Sequence, residues 1–136
     1  SGGSMASQHF FAFSDRVLGL GHLQAASYGC SKLIHPNENS SYNIRCLPPS
    51  SHAMAAYAKT SFARGLIADP ANLQRRPVFV YTGSDDTVVD PAVNKAAVAL
   101  YRSFGARVKF HEQPQAEHAF ATDTMCPVCH SCGYLG

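Results

Sequence analysis

The chain lacks a long apolar run, a strong excess of either charge and a leader-like start. No apolar stretch in its 136 residues approaches the about 18 residues of a transmembrane helix, so we expect no membrane partner. A net charge of +2 is too small to favour nucleic acid or an anionic surface. Residues 1–4 show no secretory signal and no initiator Met. We therefore expect the chain to begin inside a longer protein.

The composition is that of one folded domain. The chain is 46% hydrophobic and 15% charged, which is typical of a globular rather than a disordered protein. Its length predicts a single domain over residues 1–136 and leaves the oligomeric state open. Five cysteines and a glycosylation sequon at Asn39 favour an oxidising, extracellular setting.

Helical and strand patterns alternate along the chain. This alternation predicts an α/β fold, a three-layer sandwich with helices on a parallel sheet. Three strands alone make a thin sheet with a bare edge, so we expect an amino-terminal part of the domain to precede this chain. The predicted elements are helices at 5–14, 53–63 and 91–104, and strands at 17–23, 78–81 and 107–111.

The end of the strand at residues 78–81 carries the strongest functional signal. Open α/β sheets bind their ligands at the carboxyl edge of the strands, and Gly83 marks that edge here. The spacing Gly-x-x-Asp places the carboxylate of Asp86 beside it. Asp85 lies one residue too close to the strand and is interpreted as a turn residue. The alternative is that both carboxylates only end the strand and cap a turn.

His118 follows in a polar loop after the last predicted strand. A buried carboxylate that accepts from His Nδ1–H fixes the tautomer and stabilises the imidazolium formed during acyl transfer. The order Asp then His is also that of a hydrolase triad with the chain order Ser, Asp, His. We therefore predict Asp86 as the orienting acid and His118 as the general base. His22, within the first strand, is interpreted as a core histidine whose hydrogen bonds are satisfied.

The cysteines suggest disulfides rather than a metal site. Cys30 and Cys46 are expected to form a bond that closes a loop of about 17 residues and contributes roughly 3 kcal/mol. Cys126 and Cys132 are a second candidate pair, with Cys129 left over. Zinc bound by three thiolates and an imidazole, or covalent haem at Cys-x-x-Cys-His, are alternatives for this tail. Ligands so close in sequence strain a tetrahedral shell, and we expect no metal and no organic cofactor.

Five short motifs together resemble one enzyme family. Residues 1–8 match a Gly-x-Ser-x-Gly-Gly nucleophile motif and its Met-Ala helix, from the position after the serine onward. Residues 82–91 and 117–122 resemble that family's Asp and His boxes. Residues 28–30 (Tyr-Gly-Cys) and 132–134 (Cys-Gly-Tyr) are similar to two further segments. The chain thus resembles the carboxyl-terminal part of the polyhydroxybutyrate depolymerase and related secreted esterase family of α/β-hydrolases.

The resemblance implies the carboxyl-terminal portion of an α/β-hydrolase sheet in a secreted serine esterase acting on polyhydroxyalkanoate or similar esters. The nucleophilic serine would be the residue before Ser1, and the backbone N–H of Ser1 would be an oxyanion-hole donor. Ser4 would lie one helical turn too far along to replace that serine. The 136-residue chain alone is therefore expected to lack esterase activity. The alternatives are a catalytically inactive, secreted binding protein of the same fold and an artificial linker at residues 1–4.

Overall fold

The computed structural model describes residues 2–34 and 46–119. Within them, three strands form one parallel sheet in the order β1-β2-β3. This arrangement confirms the predicted α/β class and all three predicted strands. The strands are β1 (Leu20–Leu23), β2 (Pro77–Gly83) and β3 (Arg107–Gln113).

The described residues form four α-helices and one short 3₁₀ turn. The three predicted helices are present, and the small helix α2 and the 3₁₀ turn are additions that the apolar patterns did not indicate. Helix α1 begins at Gly2 rather than at residue 5. The helices are α1 (Gly2–Ala12), α2 (Cys30–Ile34), α3 (Ser51–Ala63) and α4 (Pro91–Ser103), and the turn is Pro70–Leu73.

The early start of α1 follows from close packing against the end of β1. A Cβ atom on Gly3 would lie 2.6 Å from the carbonyl oxygen of Leu23 and 2.7 Å from the Cβ atom of Ala25. Only a residue without a side chain allows this approach. The small residues before Met5 therefore form the first helical turn, against the sheet.

Helix α4 connects β2 to β3 and has clear start and stop signals. Asp90 caps its first turn, because its Oδ1 accepts the Ala92 N–H at 2.7 Å, and Pro91 occupies the first helical position. Gly105, with φ of 76°, follows its end. The buried face of α4 includes Val93, Ala97 and Tyr101, in agreement with the predicted helical spacing.

The core lies between α1, the sheet and α4 and is rich in aromatic rings. Phe10 and Phe11 are fully buried. The Phe11 ring stacks on Tyr28 at 4.8 Å and on Tyr101 at 6.2 Å between centroids. Burying each such side chain contributes about 1.5–3 kcal/mol. Phe11 of α1 therefore contacts both the segment after β1 and helix α4.

A disulfide joins Cys30 and Cys46, as expected from the sequence. Both cysteines are buried in the main core. The bond connects the first residue of α2 with the segment that leads into α3.

His22 is a buried core histidine, as predicted. Its Nε2 lies 2.8 Å from the carbonyl oxygen of Ala25, and its Nδ1 lies 2.9 Å from the Tyr101 hydroxyl. A carbonyl can only accept, so Nε2 carries the proton and Tyr101 donates to Nδ1. The Tyr101 oxygen in turn contacts the Ser7 hydroxyl at 2.8 Å. Burial is the main reason why the pKa of His22 is lowered to about 4.

Candidate functional site

Asp86 lies in the loop after β2, with its side chain fully buried. Its Oδ1 accepts the backbone N–H groups of Val88 at 2.9 Å and of Val89 at 2.8 Å. Val89 is itself completely buried, so this turn is anchored in the core. The two amide bonds hold the carboxylate in one orientation and leave Oδ2 for another partner.

That partner is His118. Its Nδ1 lies 3.0 Å from Asp86 Oδ2, and the imidazole is 25% exposed. Because a carboxylate accepts hydrogen bonds, this contact favours the proton on Nδ1 and the lone pair on Nε2. Within residues 2–34 and 46–119, Nε2 makes no hydrogen bond. The structure therefore brings together the two residues that the sequence singled out.

Asp85, unlike the buried Asp86, is a turn residue, as expected from the sequence. Its side chain is exposed and accepts a 2.7 Å hydrogen bond from the Ser84 hydroxyl. Its backbone N–H donates to the carbonyl oxygen of Ala116 at 3.0 Å. Asp85 thus has a turn role, and it also fixes the loop that carries His118.

Gly83 allows the two loops to meet. A Cβ atom added at Gly83 would collide with the backbone carbonyl of Ala116, two residues before His118. The neighbouring N–H of Ser84 donates to the carbonyl oxygen of Gln113 at 2.9 Å. Glycine at the end of β2 is therefore a condition for the close approach of the His118 loop.

A second contact runs beside the Asp86–His118 pair. Thr87 donates through its N–H and its hydroxyl to Glu117 Oε2, at 3.1 Å each. Thr87 directly follows Asp86 and Glu117 directly precedes His118, so two adjacent pairs join the same two loops. Both residues belong to the Asp and His boxes, whose pattern predicts no role for either, although their adjacency to the predicted pair is a usable signal.

Gln24 is the supporting residue that sequence reasoning missed. It follows β1, and its side-chain Nε2 donates to the carbonyl oxygen of Glu117 at 2.7 Å. The signal available in the sequence was its position directly after a strand, because all three parallel strands end at the same edge.

Several predicted site residues fall outside the described residues, and their roles stay predictions. They are Ser1, Asn39, Cys126, Cys129 and Cys132. Ser4, the rejected alternative nucleophile, lies inside helix α1.

The described part of the chain contains no group of three or more His, Cys, Asp or Glu side chains that could hold a metal ion. Its helices are also too short or too polar for any of them to cross a membrane.

Comparison with known proteins gives close matches to one kind of enzyme. A polyhydroxybutyrate depolymerase of Talaromyces funiculosus is 33% identical over an alignment of 153 positions, which covers 100% of this chain and 43% of the relative. A poly(3-hydroxybutyrate) depolymerase of Delftia acidovorans is 29% identical, with 98% of this chain and 28% of the relative covered. The predicted resemblance is confirmed. No protein-family model matches the chain.

Solved depolymerase structures share the fold. The crystal structure of PHB depolymerase from Penicillium funiculosum superimposes with a TM-score of 0.74 at 31% identity, over 90% of this chain and 38% of that one. A serine-to-alanine variant of PHB depolymerase complexed with an R3HB trimer gives the same TM-score and identity, over 91% of this chain and 38% of that one. The α/β-hydrolase fold is thereby confirmed. The chain spans less than half the length of these depolymerases.

Proposed function

We propose that the protein is a secreted serine esterase in which Asp86 and His118 act with a serine encoded directly before Ser1. The observation that carries the proposal is the 3.0 Å contact between His118 Nδ1 and the buried Asp86 carboxylate. It lies at the carboxyl edge of a parallel sheet, in a chain similar along its length to depolymerases. An ion pair with only a structural role would not need Asp before His in the chain, nor a position at the carboxyl edge of the sheet.

The proposed reaction is acyl transfer to water. The serine oxygen attacks the ester carbonyl carbon while His118 Nε2 takes its proton, and Asp86 stabilises the imidazolium. The tetrahedral oxyanion accepts a hydrogen bond from the backbone N–H of Ser1. His118 then protonates the leaving alcohol, and an acyl-enzyme remains. His118 next deprotonates a water molecule that attacks the acyl-enzyme, which releases the carboxylic acid and restores the serine hydroxyl.

The proposed substrates are polyesters of hydroxyalkanoic acids or their oligomers. The support comes from the relatives, which are called polyhydroxybutyrate depolymerases, and from the R3HB trimer bound to one of them. Proton transfer and nucleophilic attack need neither metal nor organic cofactor. The disulfide between Cys30 and Cys46 supports the proposed extracellular location.

The test requires the residues encoded before Ser1. A form extended upstream through the predicted Gly-x-Ser should hydrolyse p-nitrophenyl esters and an R3HB trimer, and changing that serine to Ala, or His118→Ala, should abolish both activities. The 136-residue chain should be inactive. If the 136-residue chain hydrolyses esters and His118→Ala removes that activity, the proposal that the nucleophile lies before Ser1 is wrong. If the gene encodes another residue at that position, the esterase proposal fails and a binding protein of the same fold becomes the function to test.

A further inference from the structure

Gln24 has an unusual backbone for a residue with a side chain. Its φ of 43° lies in the left-handed region, which non-glycine residues adopt uncommonly and which often marks functional positions. Its N–H donates to the carbonyl oxygen of Tyr81 at 3.0 Å, so the turn after β1 stays attached to the neighbouring strand. The residue is 7% exposed, so a polar side chain is buried here.

The Gln24 amide reaches the residue next to His118. It donates to the Glu117 carbonyl oxygen at 2.7 Å, across 93 positions of sequence. The Glu117 side chain is held separately by Thr87. Apart from the bond between Asp86 and His118, the other contacts of this loop with the loop after β2 involve the backbone of residues 113–116, nearer to β3. Gln24 therefore fixes the peptide group that joins Glu117 to His118.

We propose that Gln24 is a positioning residue for His118. By holding the Glu117 carbonyl, it sets the direction in which the next residue projects and so keeps Nδ1 within reach of Asp86. The inference rests on the proposed function of the Asp86–His118 pair. Removing the amide would leave a carbonyl without its donor, and the loop would rotate to find another one.

The tautomer of His118 reports this positioning without any enzyme assay. A histidine side chain in water favours the Nε2–H form, whereas the bond to Asp86 selects Nδ1–H. The ¹⁵N chemical shifts of the two ring nitrogens, read through the carbon-bound ring protons of the 136-residue chain at neutral to mildly alkaline pH, distinguish the forms. We expect Nδ1–H to predominate in the unmodified chain. In Gln24→Met, which keeps the length but lacks the donor, the ratio of Nδ1–H to Nε2–H should fall by up to roughly tenfold.

The matched control is Gln113→Met, at the last residue of β3, where the His118 loop begins. The Gln113 side chain is exposed and contacts His111 rather than Glu117. This variant should keep the tautomer ratio of the unmodified chain. A fall in both variants, or in neither, would overturn the proposal.

A second measurement needs no substitution and covers the case in which Gln24→Met does not fold. A scalar coupling across the hydrogen bond, between the Gln24 side-chain Nε2 and the Glu117 carbonyl carbon, is expected in the unmodified chain, and its absence overturns the proposal. Nε2–H as the main form in the unmodified chain would refute the proposed catalytic pair, and this inference with it. Nδ1–H unchanged by Gln24→Met would refute only the inference.

Discussion

Two histidines at the two ends of this chain show how the same side chain is used in opposite ways. His22 is fully buried, and both of its ring nitrogens have protein partners, the Ala25 carbonyl and the Tyr101 hydroxyl. His118 is partly exposed and has a carboxylate on Nδ1. In the described part of the chain its Nε2 makes no hydrogen bond.

The difference lies in the charge that each environment tolerates. Neutral partners and burial keep His22 uncharged, with the proton on Nε2 and a pKa of about 4. The carboxylate of Asp86 favours the opposite tautomer and can stabilise a positive ring during proton transfer. A histidine whose nitrogens are both occupied supports the fold, and one that keeps a nitrogen available can carry a proton.

The largest expected effect tests the His118 half of this comparison. Asp86→Asn, in the form extended upstream to include the serine, should lower kcat for ester hydrolysis by about 10⁴, because an amide can donate to His118 and select the wrong tautomer. The fold should remain, since the two backbone amides can still bind the side-chain oxygen. Asp85→Asn is the control and should retain nearly full activity. Equal losses in both variants would contradict the role given to Asp86.

The next largest effect concerns His22 and is measured as the pH dependence of the free energy of unfolding. The pKa of His22 is lowered from 6.5 to about 4 in the folded chain, so between these pH values the unfolded chain binds more protons. His22 protonation therefore leaves the free energy of unfolding unchanged above pH 6.5. It lowers the free energy of unfolding by about 3 kcal/mol as the pH falls from 6.5 to 4. Urea unfolding of the unmodified chain and of His22→Gln should show this slope only in the former. The exposed His52→Gln is the control, and a slope shared by all three would contradict the account.

Tyr101→Phe tests the hydrogen bonds of His22 at constant pH. It removes the hydroxyl between His22 Nδ1 and Ser7, so the buried His22 Nδ1 loses its donor, whereas Ser7 Oγ keeps the N–H of Tyr28. The free energy of unfolding should fall by about 1–3 kcal/mol, as measured by urea denaturation. Tyr57→Phe removes a hydroxyl from a half-buried ring and should change stability by less than about 0.5 kcal/mol. Equal stability of the two variants would show that the Tyr101 hydroxyl contributes nothing.

Thr87→Val should give the smallest effect. It removes one of the two hydrogen bonds to Glu117 Oε2 and keeps the one from the backbone. Because the site is exposed, kcat of the extended form should fall by less than about fivefold. Thr87→Ser, which keeps the hydroxyl, should restore the original value. A loss as large as that of Asp86→Asn would mean that this second contact, rather than the carboxylate, holds His118.

The parts predicted from sequence are those that local patterns specify. Strand β2 and the Asp86 position follow from an apolar run that ends at glycine, and α4 follows from its cap and spacing. The pairing with His118 required only chain order and the rule that parallel strands end at one edge. The core role of His22 followed from its apolar surroundings.

The parts that were missed depend on contacts between distant segments. Ser7 and Tyr101 meet across 94 positions, and nothing near either residue indicates the other. Gln24 acquires its role only because β1 lies beside β2, which sequence order alone does not specify. The start of α1 was misjudged because glycine weakens an isolated helix, whereas close packing against the end of β1 requires it here.

The disulfide keeps the two sides of a cut backbone covalently joined. A single proteolytic cut anywhere between Cys30 and Cys46 would leave the α1–β1 segment covalently attached to the rest of the chain. The nicked protein would migrate as one species on a non-reducing gel and as two after reduction. Because β1 would stay tethered to the rest of the chain, such a cut need not separate Gln24 from Glu117.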